Sequence, residues 1–264
     1  MKTIKRLGIL VLAMLLLSGC SVAKKVTKAA GDIKDRVVRD TTEIYNEITD
    51  IIKSGAKFTE GAGEIGDTVS EMDIVWITGN VKLVAYKGSC VKLEETQGAK
   101  IKLRYSCTNG KLVVIPCGKD VKDLPTKDLT VYVPAALSLT GIRVEAVSAD
   151  VAVTELNAGD AEIESVTGKV TVKDCAFREL GIETVSGDAS CTGLTVTKKL
   201  SFESVIGNAA LQFASLPGYT AKLDSVTGRF SATPSAKSRN GVYTWGDGSL
   251  TMEFETVSGN ITVS

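Results

Sequence analysis

The sequence predicts an all-β fold: a single-stranded parallel β-solenoid (β-helix) with coils of about 20 residues, preceded by an N-terminal amphipathic helix. Three observations carry this. Six segments align without gaps: VEAVSADVAV from Val144, IESVTGKVTV from Ile163, IETVSGDASC from Ile182, FESVIGNAAL from Phe202, LDSVTGRFSA from Leu223 and FETVSGNITV from Phe254. Their acidic second residues, Glu145, Glu164, Glu183, Glu203, Asp224 and Glu255, follow at intervals of 19, 19, 20, 21 and 31 residues, mostly too short for a helix-pair repeat. Each unit carries β-branched residues around a glycine turn, and aromatic residues are only 5% of the chain, so strands joined by tight turns are expected.

The elements follow in order. Lys2, Lys5 and Arg6 precede an apolar run from Leu7 to Leu17, too short to span a bilayer, so residues 1–19 read as a signal peptide. The run ends in Leu17-Ser18-Gly19-Cys20, which resembles the bacterial lipoprotein box; the resemblance implies cleavage before Cys20 and lipid modification of its thiol. Ser21, rather than an acidic residue, resembles the pattern of outer-membrane sorting in a two-membrane bacterium; with one membrane, the outer face of the cytoplasmic membrane is expected. Residues 20–54 form the anchor and the amphipathic helix, with Val26, Ala29, Ala30, Ile33, Val37, Ile44, Ile48, Ile51 and Ile52 near the helical period. Periodicity leaves open whether this helix is a free spacer or packs on the domain. Residues 55–70, glycine-rich and poor in large apolar groups, read as a linker, and residues 71–264 as the solenoid.

Within the unit, positions one, eight and ten are apolar and form the expected core. Position six is Gly168, Gly187, Gly207, Gly228 and Gly259, with Ala149 in the first unit, which suggests a positive φ at a tight turn. Position seven, Asp150, Lys169, Asp188, Asn208, Arg229 and Asn260, would set opposite charges or a charge and an amide side by side in successive coils. The stacked carboxylates of position two would repel one another, so they read as a solvated face screened by cations, with a cation-binding ridge as the alternative.

Ile74 to Leu83 fits the same unit with Val75 in the acid's place, and strands at Lys100–Tyr105, Leu112–Ile115 and Leu129–Val133 suggest three wider coils. A two-residue turn at Asn109-Gly110 would pair Cys117 with Lys102, which argues against a Cys107–Cys117 disulfide. Cys90, Cys107, Cys117, Cys175 and Cys191 show no C-x-x-C spacing and read mostly as small apolar fillers. In the long interval before the last unit, a turn at Asp247-Gly248 would pair Trp245 with Leu250 and Tyr243 with Met252, a hairpin covering the open C-terminal coil.

Composition narrows function. The chain has no histidine, which removes Ser-His-Asp and Cys-His chemistry and the commonest metal ligand, so no catalytic residues, metal site or cofactor are assigned. Lys plus Arg equals Asp plus Glu at 31 each, so no nucleic-acid partner is expected. The V-S-G-D-type repeat, with Asp128-Leu-Thr-Val-Tyr-Val-Pro134 before it and Tyr243-Thr-Trp-Gly-Asp-Gly248 before its last copy, resembles the bacterial putative adhesin domain family of unknown function over Glu71 to Ser264. The resemblance implies a β-solenoid on a lipoprotein or membrane-associated protein, and it brings no catalytic residues. Three roles stand beside one another: a surface module that adheres to or binds a protein or glycan, an envelope structural or stress-signalling component that binds a membrane protein, and a polysaccharide-active enzyme. The third is disfavoured by short coils and the lack of long loops to wall a cleft.

Overall fold

A computed structural model describes residues 41–54, 57–96, 101–117 and 124–264. The expected signal peptide, Cys20 and residues 21–40 of the expected amphipathic helix lie outside them. The described chain is all-β except for a helix, α1, over residues 41–53.

The first strands are β1 (Thr59–Glu60), β2 (Gly63–Ile65), β3 (Glu71–Tyr86), β4 (Val91–Thr96), β5 (Arg104–Thr108), β6 (Lys111–Ile115) and β7 (Asp128–Pro134). The repeat region contributes β8 (Leu139–Thr154), β9 (Asn157–Ser165), β10 (Val170–Lys173), β11 (Ala176–Ser186), β12 (Ala189–Ile206), β13 (Ala209–Phe213), β14 (Tyr219–Ser225) and β15 (Phe230–Ala232). The chain closes with β16 (Lys237–Arg239), β17 (Val242–Trp245), β18 (Leu250–Ser258) and β19 (Ile261–Val263).

Parallel pairing stacks the units in the register the alignment implies. At position one, Ile74 pairs with Val144, Val144 with Ile163, Ile163 with Ile182, and Ile182 with Phe202. The stack then departs from chain order. Phe202 pairs with Phe254, and Leu223 lies beyond it, also paired with Phe254. Position eight repeats this order, with Ala209 on Ile261 and Ile261 on Phe230. The last unit in sequence is therefore slotted between the two before it, so the expected open C-terminal coil does not exist. The long interval between Asp224 and Glu255 supplies the chain needed to turn back.

The expected hairpin, with Trp245 on Leu250 and Tyr243 on Met252, does not form: β18 pairs with β12 and β14, and β17 is committed elsewhere. β17 pairs antiparallel with β14, setting Trp245 opposite Tyr219 and Tyr243 opposite Ala221, and β16 pairs with β17. The β16–β17 hairpin covers the Leu223 unit rather than the C-terminal one. Tyr219 is fully buried, its ring 6.2 Å from Trp245 and 6.4 Å from Phe230. The outermost strand, β16, is short and carries Lys237 and Arg239, both exposed, which discourages edge-to-edge pairing.

The other end is less regular than a solenoid. β6 and β7 flank the two halves of β3 in parallel, but β4–β7, β2–β4, β5–β6 and β1–β5 are antiparallel, so the three wider coils are replaced by hairpins. The Asn109-Gly110 turn pairs Cys107 with Leu112, the register expected. The segment expected to be a linker contributes β1 and β2 and buries Ile65 and Val69; two apolar side chains suffice to draw a glycine-rich segment onto the sheet.

The position-six glycines sit at regular backbone angles; their φ values are not in the left-handed region. What they provide is proximity. A Cβ on Gly187 would stand 2.2 Å from the carbonyl oxygen of Gly168, and one on Gly207 would stand 2.1 Å from that of Gly187. Ala149 fits without distortion because it opens the column against Gly79, which does hold φ at 98°. Beneath the glycines runs a buried hydroxyl column from position three: Ser165 accepts the Gly168 N–H at 2.9 Å, and the hydroxyls of Thr184 and Ser204 lie 3.0 Å apart.

Two apolar clusters result. The main one fills the solenoid with positions one, eight and ten. The second lies outside it, where position four presents Val147, Val166, Val185 and Val205, and where Ile44 and Ile48 of α1 pack with Val75, Ile77 and Ile115. The described part of the amphipathic helix is therefore docked on the domain. Cys117, Cys175 and Cys191 are buried, and Cys90 and Cys107 half-buried.

Candidate functional site

Two grooves run along the stack. The first, of about 760 Å³, follows the position-two carboxylates and includes Arg143, Glu162, Glu183, Lys199, Glu203 and Glu255 along its wall. The pairings Glu145 with Glu164, Glu164 with Glu183, Glu183 with Glu203, and Glu203 with Glu255 make a continuous column, and Asp224 ends it beside Glu255.

At one end the column is neutralised by Arg143, which meets Glu47 of α1 at 3.1 Å, Asp73 at 3.6 Å, Glu164 at 3.8 Å and Glu162 at 3.9 Å, and also contacts Glu145. Burial opposes the guanidinium's charge, but Glu47, Glu164 and Asp73 outweigh it and raise its pKa. Further along, Lys199 reaches Glu253 at 2.6 Å. Glu255 has a raised pKa, first through burial and then through the charge of Asp224. The column is thus a partly buried face with its own cations. Among the described residues no cluster of His, Cys, Asp or Glu has the geometry to hold a metal ion.

Arg143 was not legible as a site residue. Its only signal is position: it stands one residue before the first unit, so its side chain shares the flank of the carboxylates.

The second groove, of about 420 Å³, lies along the turn edge and is lined by Ser186, Asp188, Ile206, Asn208, Thr227 and Asn260 among others. It rests on position seven, where a charge and an amide do meet as expected, the Asn208 side chain donating to Asp188 at 3.1 Å. In addition each acidic or amide oxygen accepts a backbone N–H from the next strand. Asp150 takes that of Lys169 at 2.8 Å, Asp188 that of Asn208 at 2.7 Å, Asn208 that of Asn260 at 2.9 Å, and Asn260 that of Arg229 at 3.2 Å. The ladder fixes the turns and leaves a shallow, mostly polar surface. Into it projects Ile206, 47% exposed, the only large apolar side chain so exposed among the described residues.

No helix among the described residues is long and apolar enough to cross a membrane.

Comparison with known proteins places the repeat. Residues 137–264 match the family model described as Toastrack DUF4097. The matched segment begins just before β8 and contains all six units together with the capping hairpin. No curated protein matches the chain. Among solved structures, a putative cell adhesion protein from Clostridium sporogenes aligns at 11% identity and TM-score 0.46, over 78% of this chain and 99% of its own. A putative adhesin from Bacteroides fragilis aligns at 13% identity and TM-score 0.45, over 80% of this chain and 98% of its own.

Proposed function

We propose that this protein is a cell-envelope lipoprotein, held by acyl chains on Cys20, whose Toastrack-like solenoid is a non-catalytic module for adhesion to or binding of a surface glycan or protein. The observation that supports it best is the turn-edge groove. It is shallow, it is built from hydroxyl and amide groups at strand spacing, and it carries one exposed apolar side chain, Ile206. Sugar rings and extended peptides both offer hydroxyl or amide groups on one side and C–H surface on the other, which such an edge can meet. Along the other groove Arg143 pairs with Glu47, Glu162 and Glu164 and Lys199 with Glu253, an arrangement suited to holding strands and α1 together. Each buried acyl methylene contributes roughly 0.8 kcal/mol, so two or three chains would make a lasting anchor.

The test is an array of glycans and matrix proteins probed with the mature chain and with Ile206→Asp. Selective binding that the variant loses is the expected result. Binding that is unchanged by Ile206→Asp, or none to any ligand class, overturns the assignment to this edge.

A further inference from the structure

Two long ladders run through the repeat, and among the described residues only one of their ends lacks an antiparallel cover. The position-one ladder passes from β3 to β14; β6, β5 and β1 continue it at one end, and β17 and β16 at the other. The position-eight ladder passes from β3 through β8, β10, β12, β13 and β19 to β15, and β7, β4 and β2 continue it beyond β3. Among the described residues β15 pairs with β19 alone. The three covered ends finish on strands that carry a charge, Glu60 on β1, Glu64 on β2, and Lys237 and Arg239 on β16, which blunts an edge. β15 is Phe230-Ser231-Ala232 and carries none.

We infer that β15 takes up an extended acidic segment of a second protein as an added strand, with apolar residues beside Phe230 and Ala232 and carboxylates toward Arg229, Lys237 and Arg239. The surface is distinct from the turn-edge groove, and the inference stands whether or not that groove binds a ligand.

The backbone groups needed are in place. The Ile261 N–H donates to the Arg229 carbonyl and the Thr233 N–H to the Val263 carbonyl, both at 2.9 Å, so residues 229, 231 and 233 turn their peptide groups to β19. Alternation along the strand then points the N–H and C=O of Phe230 and Ala232 to the open side. Side chains alternate too. Phe230 lies on the core side, half-buried, its ring 4.5 Å from Tyr243 and 5.8 Å from Phe254, and Ala232 packs against the same core, while Ser231 is exposed on the outer side. An added strand would meet apolar surface inside and solvent outside, the alternation that strand-adding peptides read.

Charge selects the partner. From Val226 to Gly246 the chain holds three cations, Arg229, Lys237 and Arg239, and no carboxylate. All three are exposed, and none forms an ion pair with a described residue. A second copy that paired β15 with β15 would bring two such sets to one junction, where they repel. An acidic segment neutralises the same charges. Pro234, which has no N–H, ends the edge, so the added strand spans only about five residues and the complex is a weak one.

The probe is a fluorophore-labelled heptapeptide of alternating Glu and Val that begins and ends on Glu, titrated against the full chain by anisotropy. Saturable binding that weakens as salt rises is expected, with none for the counterpart that has Lys in place of Glu. Ala232→Pro removes an outward N–H and no bond to β19, so it should weaken binding about tenfold or more with Tm nearly unchanged. Arg229→Ser combined with Lys237→Ser should weaken it as far and remove most of the salt dependence. If the proline variant fails to fold, the peptide carries the test: N-methylation of its valines abolishes binding by an antiparallel strand, and N-methylation of its glutamates abolishes binding by a parallel one. In a chain with isotope-labelled phenylalanine, the Phe230 amide signal should shift and its hydrogen exchange slow when the peptide is bound. No binding of the acidic peptide, equal binding of the basic one, or indifference to Ala232→Pro and to both methylations overturns the inference. So does self-association of the chain in analytical ultracentrifugation that Ala232→Pro removes, since the edge would then belong to a second copy.

Discussion

Gly187 offers the sharpest test of why the repeat needs its glycine. A Cβ there would lie 2.2 Å from the Gly168 carbonyl oxygen, a backbone atom that cannot swing aside, so strands must part by about 1 Å to admit it. Overpacking of this kind costs about 1–3 kcal/mol, offset by about 0.4–1 kcal/mol from the stiffer unfolded chain. For Gly187→Ala the net loss is about 1–2 kcal/mol, which at roughly 2–4 °C per kcal/mol lowers Tm by about 2–8 °C. Gly66→Ala is the control, since its Cβ would meet nothing within 4 Å, and its Tm should be unchanged or slightly higher. Gly187→Asn separates close approach from turn conformation. Asparagine tolerates positive φ and would rescue a strained turn, but it carries the same Cβ and must be at least as damaging as alanine. Differential scanning calorimetry of the three variants decides it: an Asn variant near wild type, or an Ala variant equal to Gly66→Ala, refutes the close-approach argument.

Three further outcomes are expected. Glu255 has a raised pKa in the folded protein, so its charge opposes folding at neutral pH and the penalty vanishes as pH falls below the unfolded carboxylate range. Glu255→Gln should therefore raise Tm at pH 7 and leave it unchanged near pH 3.5, and the opposite pH trend in scanning fluorimetry would contradict the burial and Asp224 repulsion assigned to it. The Cys191 thiol is pushed up to about 12 by burial, so iodoacetamide at pH 8 should alkylate half-buried Cys90 and Cys107 in the native protein and reach Cys191 only after denaturation; peptide mass mapping reads this directly, and early labelling of Cys191 would contradict its burial. Thr244→Pro, which breaks β17 between its partners Thr220 and Lys237, should uncover the β14 edge and give concentration-dependent oligomers in light scattering; a monomer of unchanged stability would show that the hairpin does not protect the edge.

The all-β character and the register of the stack were legible because both follow from one-dimensional signals. Alternation marks what faces inward, and a one-residue slip would turn Val144, Ile163 and Ile182 out to solvent. Even the degenerate unit at Ile74 could be placed, although it lacks the acid. Strand order was another matter. Phe254 fits beside Phe202 as well as Leu223 would, and the position-seven ladder gives only a weak preference: Arg229, with no oxygen to accept the next strand's N–H, suits the end of the ladder, yet Lys169 stands within it. What decides between them is the aromatic end group. Tyr219, Phe230, Tyr243 and Trp245 pack together only if β14 is outermost and β17 closes over it, which forces the last unit inward. That cluster draws on residues from three strands that approach from opposite directions, and periodicity has no means of showing it. The docking of α1 was undecidable for a related reason. The helix announces an apolar stripe, but its partner, the position-four valines, reads in the repeat as ordinary strand composition until the coil shows that positions one and three point in while position four points out. Two surfaces from different periodicities, 3.6 and about 20 residues, had to be brought together in space before either explained the other.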